Sequence, residues 1–308
     1  MLMMVFDVCS HGLLVLVLAP LFVGVIARVK ARFAGRTGPS LLQPFFDLRR
    51  LFFKNSVYSR TTTWVFRAAP LVVFAAMLAL SLLVPLGISR APAAFTGDIL
   101  WLAAMLGLAR FFMITAALDT GFSMEGMGAS REAFFACLGE LALFMNFITL
   151  ALLAHGFSLS GMIGVDAPLS WEHAGPALLL VAASLFIVLL AENCRIPVDD
   201  PDTHLELTMI HEVMILEHSG IDLAYMLYGA AVKLLLFAAI LVPLVIPFRT
   251  GYPPVDMGIF LGGVTGMAVL VGVVESVMAR LRLNRVRNFL LIAFVLAFFA
   301  FIVGLWRM

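Results

Sequence analysis

Residues 192 to 220 read ENCRIPVDDPDTHLELTMIHEVMILEHSG, a composition suited to handling protons. The segment carries seven of the chain's 19 carboxylates (Glu192, Asp199, Asp200, Asp202, Glu206, Glu212 and Glu217) and three of its six histidines. Carboxylates held close raise one another's pKa and titrate as a set, which suits them to carrying protons. A second set of ionisable groups stands within otherwise apolar runs: Arg110, Glu140, Glu192, Lys233 and Glu275, with Asp119 at the end of a run. Each costs roughly 2.5–3.5 kcal/mol in a lipid-spanning helix, so each is expected to face a bundle interior or water and to mark function. A plainer reading competes for every one of them. Acids and bases also pair simply to hold helices together, and an acidic loop is often no more than solvated.

The elements that must position these groups follow from composition. The chain is 63% hydrophobic and 13% charged over 308 residues, and its mean hydropathy is +1.07. A soluble domain of this size needs far more charge on its surface. Several apolar runs reach the roughly 20 residues that cross a bilayer. In lipid the backbone must satisfy its own hydrogen bonds, and these runs lack the alternation of barrel strands. The expected fold is all-α: a single polytopic membrane domain over 1–308, with spans near 10–28, 66–88, 99–118, 132–154, 175–194, 222–247, 257–279 and 288–306. No internal repeat is evident.

Basic residues orient the spans. The first loop holds Arg28, Lys30, Arg32, Arg36, Arg49, Arg50, Lys54, Arg60 and Arg67. The third holds Arg131, the fifth Arg195, and the seventh Arg280, Arg282, Arg285 and Arg287. These make 15 of the 20 basic residues, against Arg90, Arg249 and Arg307 on the other side. The odd loops are therefore expected in the cytoplasm and both termini outside. Trp64, Trp101, Trp171 and Trp306 fall at span ends, as an interfacial belt requires. The N-terminus lacks a basic n-region, so the first span reads as retained rather than cleaved. Within the first loop, LLQPFFDLRRLFFK reads as an amphipathic helix lying in the interface, with Pro44 in its first turn.

On this topology the intramembrane charges crowd toward the cytoplasmic half, open inward and closed outward. Pro197 ends the fifth span, and a helix is expected to restart after Pro201, with Asp202 in its first turn and Glu206 on the same face. His204, His211 and His218 recur at sevenfold spacing, roughly one helical face. Surface or hydrogen-bonded histidine is a better reading for them than a metal site. Cys9, Cys137 and Cys194 are far apart and form no CxxC pair, so no disulfide, zinc or iron–sulfur ligation is expected in this chain.

These motifs resemble a known family. The chain is similar to the membrane subunit shared by respiratory complex I (its subunit 1) and by the group 4 [NiFe] hydrogenases, including hydrogenase-4 and formate hydrogenlyase. RTGPSLLQPFFDLRRLFFK (36–54) resembles the family's first-loop signature. ARFFMITAALDTGFSMEGMGASRE (109–132) resembles the hydrogenase run with R-F-F, L-D-T-G and G-A-S-R-E. ENCRIPVDDPDTHLEL (192–207) resembles the acidic loop, and VESVMARLRL (274–283) the end of the seventh span. Details lean toward the hydrogenases: Gly38-Pro39-Ser40 runs straight into Leu41-Leu42-Gln43, and Ile196-Pro197-Val198-Asp199 replaces the A-P-F-D usual in complex I. Two features depart from the pattern. His204 stands where an acid is usual, and the stretch before Glu217 is longer.

The resemblance implies a subunit that performs no bond chemistry itself and holds no cofactor. It would dock a soluble arm bearing nickel–iron and iron–sulfur centres, through Arg36, Arg49, Arg50 and Lys54. The implied partners are hydrogenase large and small subunits, a ferredoxin-like iron–sulfur subunit and antiporter-like membrane subunits, in a prokaryotic inner membrane, with no nucleic acid. Asp199, Asp202 and Glu206 would respond to the redox arm. Glu140, Glu192, Glu275 and Asp119 would continue a path for protons or sodium, biased by Arg110 and Lys233 and supported by Arg131, Glu132, Arg195 and Glu217. The alternatives are a quinone-chamber subunit of complex I, a stand-alone proton or cation transporter, and a purely structural anchor; a bound quinone is not favoured.

Overall fold

The computed structural model describes residues 2–87, 90–164, 171–199, 209–247 and 250–306. Among them there is no strand. The helices in chain order are α1 (Leu2–Phe33), α2 (Gln43–Phe52), α3 (Trp64–Ser81), α4 (Asp98–Asp119), α5 (Ser123–Ala154), α6 (Leu159–Ile163), α7 (Trp171–Glu192), α8 (His211–Met214), α9 (Gly220–Val245), α10 (Pro253–Val277) and α11 (Leu283–Trp306). Eight of them, α1, α3, α4, α5, α7, α9, α10 and α11, are long and apolar enough to cross a membrane. The chain is a multi-pass membrane protein, all-helical as its hydropathy requires.

Helix α9 occupies the middle and packs against α1, α2, α3, α7 and α10. Around it α3 lies on α4, α4 on α5, α5 on α7 and α11, and α1 on α10. Small residues set several of these approaches. At Gly128 of α5 a Cβ would overlap Val213 of α8, and at Gly272 of α10 it would stand 2.9 Å from Val29 of α1.

Several helices overrun the expected span ends by a few residues, as α1 (Leu2–Phe33) and α11 (Leu283–Trp306) do; two other boundaries differ for a physical reason. The second span is shorter than 66–88. Helix α3 stops at Ser81, and Pro85 and the positive φ of Gly87 turn the chain away. The fourth span starts nine residues early, at Ser123 rather than 132. The stretch before it is rich in glycine and charge and reads as loop, yet it is helical. Arg131 and Glu132 are therefore helix residues, and the third loop shrinks to a turn after Asp119.

Helix α2 is amphipathic as expected, with Pro44 in its first turn. Leu48 is buried against the body, while Phe46, Phe53, Arg49 and Arg50 are exposed. Phe52 meets the Tyr225 ring of α9 edge-on at 5.5 Å. The segment after α2 is strapped across the start of α9. Val57 N–H donates to Ser219 Oγ at 2.9 Å. Gly220 has φ +56, and a Cβ there would lie 2.5 Å from the Asn55 carbonyl oxygen. Gly220→Ala is therefore expected to destabilise the fold by about 1–3 kcal/mol. Gly262→Ala, where a Cβ meets nothing within 4 Å, is expected to be neutral. Thermal unfolding of both variants in detergent checks this; equal midpoints would refute the strap.

Candidate functional site

A buried charge cluster ties together α4, α5, α7 and α9. Its centre is Arg110 of α4, whose side chain is 9% exposed. One terminal nitrogen donates to both carboxylate oxygens of Glu192, at 2.8 and 2.7 Å. The other donates to Glu140 in a short contact. Its Nε lies 3.7 Å from Glu132 Oε1. Lys233 enters from α9 and pairs with Glu192 Oε2 at 2.9 Å. The same ammonium donates to the Glu192 backbone carbonyl at 2.6 Å. That carbonyl belongs to the last turn of α7, whose orphan acceptors favour a cation. Gly139 makes room for the cluster, since a Cβ there would stand 3.3 Å from Glu192 Oε1.

Glu140 differs from its partners. Its side chain is 40% exposed on the flank of α5, whereas that of Glu192 is 3% exposed. The cluster thus holds three carboxylates against two cations, with its most open member at the side of the bundle.

A second network lies at the ends of α1 and α10. Glu275, with a fully buried side chain, pairs with Lys30 at 3.2 Å and with Arg195 at 3.4 Å. Asp199 is 1% exposed and is held by Arg280 in a short contact. Its other oxygen accepts the backbone N–H groups of Ile210 and His211 at 2.9 and 3.2 Å, where α8 begins. Asp199 is therefore a pinned carboxylate and not a solvated loop acid. Cys194 Sγ lies 3.8 Å from Glu132 Oε2. Burial, with Glu132 and Asp199 nearby, pushes its thiol well above the ordinary value, which leaves it unreactive.

Two cavities adjoin these networks. A cavity of about 470 Å³ runs under α2, between α1, α9 and the segment after α7; Arg195, Asp199, His211 and Glu212 form its polar end. A smaller cavity of about 50 Å³ adjoins Arg110, Glu132, Glu192 and Lys233, with room for one or more water molecules.

The expected site residues thus divide. Arg110, Glu132, Glu140, Glu192 and Lys233 converge. Arg195, Asp199 and Glu275 form the neighbouring network. Asp202 and Glu206, with Asp200 and His204, lie outside the described residues. Asp119 joins neither network; it accepts the Thr63 N–H at 2.6 Å and hydroxyl at 2.9 Å, which fixes the start of α3. Arg131 donates to the Met209 carbonyl at 3.0 Å. Glu217 is exposed and contributes its backbone, whose N–H donates to Glu125 at 3.1 Å. Arg36, Arg49, Arg50 and Lys54 are all exposed.

Three residues that matter were not singled out. Glu125 is fully buried at the start of α5. Its spacing of seven from Glu132 put it on the same helical face, but only once the helix is known to reach back that far. Lys30 and Arg280 counted only as topology signals, yet each neutralises a buried acid. The histidine expectation also needs correction. The chain turns between His211 and His218, so they share no face; His218 is buried and His211 is half-buried. His218 is 4% exposed, makes no hydrogen bond and stacks on Phe66, with centroids 4.0 Å apart and planes at 8°. Among the described residues no set of three histidine, cysteine or acidic side chains converges to hold a metal.

Residues 8–305 match the family described as NADH dehydrogenase. The chain belongs to the NADH dehydrogenase subunit 1-like family. Within it the hydrogenase branch is the nearer. The chain is 33% identical to hydrogenase-4 component C of Escherichia coli (strain K12) over 239 residues, 78% of this chain and 74% of that one. It is 30% identical to formate hydrogenlyase subunit 4 of the same organism over 300 residues, 95% and 96% of the two chains. The corresponding NADH-quinone oxidoreductase subunit of Rubrobacter xylanophilus is 28% identical over 254 residues, 77% of this chain and 72% of that one. A chain of the membrane-bound sulfane sulfur reductase, an archaeal respiratory membrane complex, superposes with a TM-score of 0.81 at 21% identity, over 97% of this chain and 99% of that one. That likeness establishes the fold. This family member is accordingly homologous to subunits of multi-subunit membrane complexes.

His218 gives the fold a pH dependence whose sign is fixed. Burial lowers its pKa from 6.5 to about 4, opposed only by Asp222. The unfolded chain therefore takes up the proton first as pH falls, so stability is full above pH 6.5 and is lost toward pH 4, at about 1.4 kcal/mol per unit. His218→Phe keeps the stack on Phe66 and removes the titration. Its unfolding midpoint in detergent is expected to fall less than the wild type's between those pH values. Parallel curves would show that His218 does not titrate on unfolding.

Proposed function

We propose that this chain is the membrane-anchoring and coupling subunit of an energy-converting hydrogenase or formate hydrogenlyase-type complex. The observation that carries the proposal is the Arg110–Glu132–Glu140–Glu192–Lys233 cluster, built from four membrane helices in a chain similar in sequence to hydrogenase-4 and formate hydrogenlyase subunits. A buried ion cluster adds little net stability over apolar packing, because desolvation consumes its Coulomb energy. Its retention in lipid points to a task. With one more carboxylate than cations, the cluster reaches neutrality by taking one proton, which suits it to loading and release.

In this reading Asp199, together with Asp202 and Glu206, answers to a redox arm. The arm would carry the nickel–iron and iron–sulfur centres on its own large, small and ferredoxin-like subunits and would dock on Arg36, Arg49, Arg50 and Lys54. Arg195 and Glu275 link that loop to α1 and α10. Glu192, Glu132 and Glu140 pass protons toward antiporter-like membrane subunits that lie against the flank where Glu140 is exposed. The basic loops would face the cytoplasm and both termini the outside of a prokaryotic inner membrane.

One observation favours a second reading, the quinone-chamber subunit of a complex I. The larger cavity has apolar walls that suit an isoprenoid tail and a polar end that suits a carbonyl-bearing head. The sequence comparisons weigh against it.

The test uses the assembled complex in proteoliposomes, with hydrogen turnover and proton translocation read together. Glu140→Gln is expected to leave hydrogen turnover and assembly intact while proton translocation falls at least tenfold. Arg49→Glu with Arg50→Glu is expected to release the soluble arm. Unchanged translocation in the first variant would exclude coupling through the cluster, and an arm retained by the second would exclude docking on α2. Inhibition by quinone-site ligands would favour the second reading.

A further inference from the structure

The two cavities share a wall. Asn193, His211 and Ala230 line both. On one side lies the larger cavity, with Arg195, Asp199 and Glu212. On the other lies the smaller one, with Arg110, Glu132, Glu192 and Lys233. Ala230 offers no polar group. The Asn193 amide nitrogen is committed to the Leu189 carbonyl at 2.8 Å, and an amide does not titrate. His211 is the titratable side chain of the wall. Among the described residues its imidazole makes no hydrogen bond, while its backbone N–H is fixed on Asp199.

We propose that His211 is the proton-transfer residue between the larger cavity and the Arg110–Glu192–Lys233 cluster, a role that rests on the coupling function above. His211 lines both compartments, which places a titratable side chain where the two meet. A proton arrives on one nitrogen from cavity water as the other nitrogen releases one to the cluster. A ring flip restores the starting tautomer, so no net charge stays on the residue. The surrounding charges favour that relay over proton storage. Burial disfavours an imidazolium, and Lys233 from α9 and Arg195 from the α7–α8 segment repel it, which together lower the pKa to about 4. Glu192, Glu132, Asp199 and Glu212 are the acids around it. Asp199 and Arg280 act as positioning residues, because they fix the start of α8 and with it the ring.

The structural alternative is that His211 only fills the wall. The two are separated by rescue. In the assembled complex in proteoliposomes, His211→Ala is expected to keep hydrogen turnover within about twofold of wild type and to lower proton translocation at least tenfold. Added imidazole, small enough for the larger cavity, is expected to restore most of the translocation in His211→Ala and to leave wild type unchanged. His211→Gln, which fills the wall but does not relay a proton, is expected to stay impaired. Full translocation in His211→Gln would show a packing role and overturn the proposal, as would failure of imidazole to rescue His211→Ala. If the wild-type complex itself translocates nothing, the coupling function fails and the relay falls with it.

Discussion

One guanidinium in a medium that cannot solvate it sets the rest of the arrangement. Arg110 is always charged, and its side chain is almost wholly enclosed among membrane helices. An unpaired cation there is prohibitively costly, so carboxylates must come to it from α5 and α7. Those carboxylates outnumber it, so Lys233 must come from α9. Each requirement fixes a helix. Gly139 keeps α5 close enough for Glu192 to reach Arg110, and α7 stops at Glu192, so its terminal carbonyl can also meet Lys233. The apolar residues supply the adhesion of the bundle, and the charges dictate which helices lie side by side and at what depth.

The same logic explains why the segment after α7 is shaped as it is. Helix α7 ends at Glu192, ahead of the expected break at Pro197: Cys194 turns the chain at φ +47 and the Arg195 N–H closes on the Leu190 carbonyl at 2.8 Å. A chain leaving a membrane helix must satisfy its backbone. Asp199 does this by accepting two N–H groups from the far side of the segment, and Arg280 offsets its charge. The acid therefore orients the start of α8, which presents His211 to both cavities. Glu275, Lys30 and Arg195 hold the ends of α1 and α10 against this segment. A change in charge around the larger cavity thus has a short mechanical and electrostatic route to the cluster.

The sequence made much of this legible, and where it failed the failure is physical. Eight apolar runs and one amphipathic segment were readable because lipid imposes length and composition. Arg110, Glu140, Glu192, Lys233 and Glu275 were readable because a charge in an apolar run is costly. Pairing was not readable, because it depends on which helix lies beside which. Lys30 and Arg280 therefore looked like topology signals alone. The start of α5 was hidden by glycine and charge, which usually mark a loop; there the glycine admits Val213 of α8 and the charge is buried as Glu125 and Glu132. The heptad spacing of the histidines misled because periodicity carries no meaning across a turn.

If the bundle is organised by its buried charges, Arg110 and Glu192 must depend on one another. A double-mutant cycle reads that dependence, with Arg110→Met, Glu192→Gln and the double variant unfolded in detergent. Each single change removes one partner of the direct Arg110–Glu192 pair and leaves the other with weaker compensation, and the double change removes both. The expected coupling energy is about 2 kcal/mol or more, with the double variant more stable than the sum of the single losses allows. Additivity within about 0.5 kcal/mol would show that the two do not compensate one another and would contradict this organisation.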